Sequence, residues 1–169
     1  MRRSRDRCCR RAGTERIEAA EGESRAMEGY RIHGSIHPRP PGLETIDRVV
    51  NERQMRVLDV RPEMLAAHFP HSFEQAAEQL QRLPRLFFEP DGSFVWVTEA
   101  NGASWQLDGV LYDRNGFLQF VDVHGEFTRE TIASLLEAVA GTQPVMFQLA
   151  REAVFVDQDE LFRVCRIER

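Results

Sequence analysis

The chain has 169 residues, enough for one domain with a proper core and short for two. Apolar residues make up 42% and charged residues 29%, the profile of a soluble globular protein. All 22 basic residues are arginine, so Schiff-base catalysis, pyridoxal-phosphate attachment and the P-loop lysine are excluded, and GxGxxG, GxSxG and HExxH are absent as well. Residues 1–42 hold ten Arg against six acids, a balance of +4, while residues 43–169 hold twelve Arg against twenty-one acids, a balance of −9. An acidic body repels a nucleic-acid backbone, which disfavours sequence-independent DNA or RNA binding by the main domain.

Residues 1–11 carry six arginines and the pair Cys8-Cys9. A nucleic-acid arm or a targeting signal is one reading, but residues 12–26 are polar and lack the apolar stretch of a signal peptide. Arg/Ala/Gly/Glu-rich text without apolar periodicity is expected to be disordered, or to be translated upstream DNA ahead of a true start at Met27. Residues 30–43 contain His33, His37, Pro38, Pro40 and Pro41 and read as an extended, mobile lead-in. The prolines argue against a helical His33/His37 metal pair. The expected organisation is therefore a basic, disordered lead-in over 1–42 and one α+β domain over 43–169. Past Met27 the remaining cysteine is Cys165, with no CxxC pair, and no apolar run is long enough to span a membrane. A cytoplasmic location is the expectation.

Residues 46–60 are ambiguous, with Ile46, Val49 and Val50 suiting a short helix and residues 55–60 a strand. Ser72 and Gln75 form a capping box for a helix carrying Phe73, Ala76, Ala77 and Leu80, stopped by Pro84. His68 and His71, just ahead of that cap, read as capping or surface groups. Three turn signals follow, ending in Asp91-Gly92, Asn101-Gly102 and Asn115-Gly116. Read as three-residue loops with a left-handed glycine, they separate four strands at 85–89, 93–98, 104–112 and 117–124 in an antiparallel meander. The implied register pairs Glu89 with Ser93, Glu99 with Ala103 and Asp113 with Phe117. One face then collects Phe87, Val95, Val97, Trp105, Leu107 and Leu111. The other collects Phe94, Trp96, Val110, Tyr112, Phe120, Gln106, Asp108, Asp122 and His124.

Thr128 caps a further helix with Ile132, Leu135, Leu136 and Val139 at helical spacing, ended by Gly141. Residues 144–149 read as a strand, completing a strand–helix–strand crossover, and residues 153–156 extend the sheet. Asp157 and Glu160 resemble a second capping box for a last helix. The predicted fold is α+β: a four-stranded antiparallel meander extended by a strand–helix–strand crossover, with helices on both faces because both faces are apolar.

In that register Asp108 lies opposite Asp122, with Gln106 opposite His124. Opposed carboxylates repel, and among the ways to relieve that repulsion is a divalent cation, Mg²⁺ or Mn²⁺ rather than zinc. An acid on one strand and an acid-x-basic triplet on the next, followed by a helix and a strand, resembles the core of PD-(D/E)XK nucleases over residues 104–149. The resemblance implies Asp108 and Asp122 as metal ligands and His124 as the residue positioning the attacking water. The family has lysine at that third position. Without any chemistry, the same residues make Asp108-Gly109 a bulge, Asp122 an arginine partner and His124 a strand end. A two-residue type I′ loop at Asn115-Gly116 would move Asp108 to the face opposite Asp122 and dissolve the constellation.

Two functional readings follow. The preferred one is a non-enzymatic binding or interaction module, with a protein partner or a second copy of the chain on the uncovered face and Trp96, Gln106 and Tyr112 as binding residues. The alternative is a divalent-metal-dependent phosphodiesterase or nuclease using Asp108, Asp122 and His124.

Overall fold

The computed structural model of the chain describes residues 28–100 and 102–167. The expectations for residues 1–26, including the arginine cluster and Cys8-Cys9, lie outside the described residues.

The first strand, β1 (Tyr30–Pro38), is followed by the hairpin β2 (Thr45–Val50) and β3 (Arg53–Leu58) and a 3-10 turn at Pro62–Ala66. Helix α1 (Phe73–Gln81) leads to the meander β4 (Leu86–Phe88), β5 (Ser93–Ala100), β6 (Ala103–Arg114) and β7 (Phe117–Phe127). Helix α2 (Arg129–Ala140), strands β8 (Val145–Leu149) and β9 (Val154–Val156), and helix α3 (Gln158–Val164) come next. The nine strands form one sheet in the order β2-β3-β9-β8-β1-β7-β6-β5-β4, with every neighbouring pair antiparallel. The class is α+β, but the sheet is nine strands wide rather than a four-stranded meander with a crossover.

The largest departure from the expected organisation is β1. Residues 30–38 are not a mobile lead-in; they form the strand between β7 and β8. Both neighbours run antiparallel to β1, so the strand–helix–strand unit β7-α2-β8 has two mutually parallel strands with β1 inserted between them. The alternation explains why the segment pairs. Tyr30, Ile32 and Ile36 point to one face and are buried, and Gly34 sits in the same row. A Cβ on Gly34 would stand 1.9 Å from the Gln148 carbonyl oxygen, so the approach of β8 requires glycine there.

Residues 46–60, ambiguous in sequence, form a hairpin. Asn51 and Glu52 both take positive φ, 48° and 66°, the signature of a type I′ turn that a Glu at the second position conceals. The α1 capping box forms as expected, with the Ser72 hydroxyl accepting from the Gln75 amide and the Gln75 side chain accepting from the Ser72 amide. Thr128 caps α2 and Gly141 ends it, at φ 58°. Asp157 caps α3, but Glu160 does not close a box. Its carboxylate is fully buried and accepts from the Arg56 amide and the Arg163 guanidinium.

Helices α1, α2 and α3 all lie on one face of the sheet, not on both. Phe73 of α1 meets Phe88, Thr131 of α2 approaches Thr98, and Phe162 of α3 packs on Tyr30 and Phe127. Cross-strand pairing places Phe88, Thr98, Tyr30 and Phe127 on that same face. The main core therefore sits between sheet and helices, built on Leu107, Leu111, Val121, Val123, Ile132, Leu135 and Val139, while Met146, Leu58 and His37 are buried on the other face. None of the helices among the described residues is long and apolar enough to cross a membrane.

Candidate functional site

None of α1, α2 and α3 lies on the opposite face of the sheet, and register decides which side chains it presents. The β4–β5 hairpin has the expected three-residue loop, with Phe88 opposite Phe94 and Gly92 at φ 92°. The β5–β6 hairpin closes one residue tighter, pairing Ala100 with Ala103 and Glu99 with Ser104. This single-residue slip turns Trp96 onto the helix-covered face, opposite Leu107, where its Nε1–H donates to the Pro84 carbonyl at 3.1 Å. At β6–β7 the loop is again two residues, Asn115-Gly116 at φ 56° and 80°, so Arg114 pairs with Phe117. By itself that would separate Asp108 from Asp122. The register shifts once more between Tyr112 and Asp113, leaving Gln119 as an extra residue in β7. Two one-residue changes restore the side-chain parity.

Consequently Gln106, Asp108, Tyr112, Asp122 and His124 share the open face, while Trp96 does not join them. The predicted opposition of carboxylates is corrected. Asp108 faces His124, and Asp122 faces Val110 on one side and Ser35 on the other. Asp108 accepts from the Gln106 amide at 2.9 Å. Neither carboxylate has an ion-pair partner among the described residues, and no three His, Cys, Asp or Glu side chains there come together in a way that could hold a metal ion.

Strand β1 contributes residues to this face that sequence reasoning assigns to the lead-in. His33 lies beside His124, their rings edge-to-face with centroids 5.2 Å apart. His37 anchors a row of rings across the sheet. Tyr112 stacks on Phe120 at 4.6 Å, Phe120 stacks on His37 at 5.2 Å, and His37 meets the edge of Phe155 at 5.4 Å. Beside that row, the Ser35 hydroxyl lies 2.8 Å from His37 Nε2 and donates to Gln148 Oε1 at 3.2 Å. Ser35, His37 and Gln148 thus form one hydrogen-bonded polar cluster, with Ser35 and His37 buried. Burial pulls the His37 pKa down to about 4, against the opposing effect of a hydrogen bond to Gln148, and the ring is neutral at pH 7.

Toward β4 the open face is apolar and wet. Phe87 is 68% exposed, its cross-strand partner Val95 is 39% exposed and Tyr112 44%. Of His68 and His71, expected as capping or surface groups, His68 lies tilted against Phe117, which the register puts at the margin of this face, and His71 Nδ1 lies 3.2 Å from the Ala138 carbonyl of α2. Alternation of Arg31, His33, Ser35 and His37 with Tyr30, Ile32, Gly34 and Ile36 was the available signal for the β1 contribution, masked by the prolines that follow.

No protein-family model matches the chain, and neither the curated proteins nor the solved structures include a match.

Proposed function

We propose that the chain is a non-enzymatic binding module that holds a protein partner on the face of its sheet opposite α1, α2 and α3. The observation that carries this reading is the open face's combination of the exposed Phe87, Val95 and Tyr112 with the ring row continuing through Phe120 to His37. A sheet face left to water ordinarily alternates to polar residues, and large exposed apolar side chains clustered on it mark an interface. Asp108 and Asp122, without ion-pair partners among the described residues, give that interface a negative character. The partner this combination suits is a segment presenting aromatic or aliphatic side chains together with arginine or lysine.

Selection of a displayed random peptide library against the purified protein tests the reading. Enriched peptides should pair basic with aromatic residues, and binding should fall about tenfold or more in Tyr112→Asp and in Asp122→Arg. Absence of enrichment, or binding by both variants equal to the parent's, overturns it.

A further inference from the structure

A second site lies at the end of the sheet where β1 begins. There the start of β1, the β8–β9 turn and the segment after α3 enclose a cleft of about 410 Å³. Its rim is cationic: Arg31, Arg53, Arg151 and Arg166 line it, with the imidazoles of His33 and His124 alongside. Two of the arginines have their charge answered, Arg31 by Glu126 and Arg166 by Glu28. Arg53 and Arg151 have no ion-pair partner among the described residues, and Glu152 is the one acid in the lining. The Cys165 thiol on the wall adds no negative charge, because burial pushes its pKa up to about 12. In a chain whose residues 43–169 balance to −9, this gathering of positive charge is local and against the general field. The lining also has an apolar part, where Val164 and Ile167 are half-buried over the core residues Ile32 and Leu149.

We infer that this cleft binds a small organic oxyanion, with a carboxylate or phosphate head against Arg53 and Arg151 and an apolar body on Val164 and Ile167. Guanidinium groups recognise both heads through paired N–H donors, and the volume is that of a small-molecule site rather than of a polymer groove. The acidic body argues in the same direction, since it would repel an extended nucleic acid.

Titration calorimetry with phenyl phosphate, benzoate and neutral phenol tests the assignment on the full chain. Saturable binding of at least one anion at millimolar concentration, with phenol inert, is the expected result, and the stronger of the two anions identifies the head group. Arg53→Gln/Arg151→Gln should weaken that binding about tenfold or more. Both side chains are exposed, so the variant should fold, and a thermal melt checks that it does. A charge-matched control, Arg82→Gln/Arg114→Gln, should bind as the parent does. No saturable anion binding, equal binding of phenol, or equal losses in the two double variants would each overturn the site.

Discussion

Phe127 and Phe87 are both phenylalanines of one sheet, yet Phe127 has no exposed surface and Phe87 is 68% exposed. Phe127 stands on the face covered by α1, α2 and α3, packed against Tyr30 and Phe162. Phe87 stands on the other face, across from Val95, with none of those helices above it. The covered face is apolar because folding needs it to be. The open face retains Phe87, Val95 and Tyr112 although its exposure gives them little to do for stability. That contrast separates residues retained for packing from residues available for recognition, and it can be tested residue by residue.

The largest expected effect belongs to the covered side. Phe127→Ala should cost about 3–5 kcal/mol in chemical denaturation, whereas Phe87→Ala should stay within about 0.5 kcal/mol of the parent. Gly34→Ala should be at least as damaging as the former, because the Gln148 carbonyl stands where the new methyl would go. Similar costs for the two phenylalanines would mean that Phe87 is covered in solution, and the distinction between the faces would fail.

Next in size is the acid response of His37. Its folded pKa of about 4 lies below the ordinary 6.5, so between those values the unfolded chain takes up a proton that the native chain refuses. Stability from the neutral ring is complete above pH 6.5 and is lost as pH falls toward 4. At about 1.4 kcal/mol per unit the loss amounts to about 3 kcal/mol. His37→Phe should flatten the stability profile across that window. An unchanged slope would place the acid sensitivity elsewhere.

Glu160 supplies the corresponding test beneath the covered face. The Arg163 hydrogen bond, more than the Arg56 amide and guanidinium, holds its carboxyl below the usual value of 4.5 despite burial. A depressed carboxylate pKa contributes stability that is present above the unfolded value and lost as pH falls through the folded one. Glu160→Gln should therefore cost about 1–3 kcal/mol at neutral pH and remove the part of the acid slope that lies below 4.5. The two arginines keep about half their side-chain surface in water, which limits the loss.

How far these faces were legible in sequence depended on single residues. Helix positions were readable because Ser72, Thr128, Asp157 and Gly141 punctuate them, and caps act locally. The meander was readable from its Asp-Gly and Asn-Gly turns, but loop length was not. Asn101-Gly102 and Asn115-Gly116 suit two-residue and three-residue loops alike, and each choice moves every side chain to the other face. Trp96 was misplaced by the first of these. Asp108 kept its face only because the extra residue Gln119 offset the second. The β1 strand was hidden for a different reason. Its pairing is with β7 and β8, about 90 and 110 residues away, and no local pattern announces partners at that distance. His37 and Ser35 were missed with it.

The smallest effect tests whether the ring row acts as one unit. Tyr112 is 44% exposed and stacks on Phe120 at an interplanar angle of 15°, and Phe120 in turn covers His37. Tyr112→Ala should cost only about 0.5–1 kcal/mol, the worth of one partly exposed aromatic contact. Its more telling consequence lies two rings away. With Tyr112 gone, water reaches Phe120 and the desolvation holding His37 near 4 weakens, so the imidazole pKa should rise toward 6.5 in an NMR titration. Phe87→Ala, on the same face but outside the row, should leave that titration unmoved. If His37 titrates identically in both variants, the rings are neighbours without being coupled, and the apolar edge near β4 would have to serve recognition without the buried histidine.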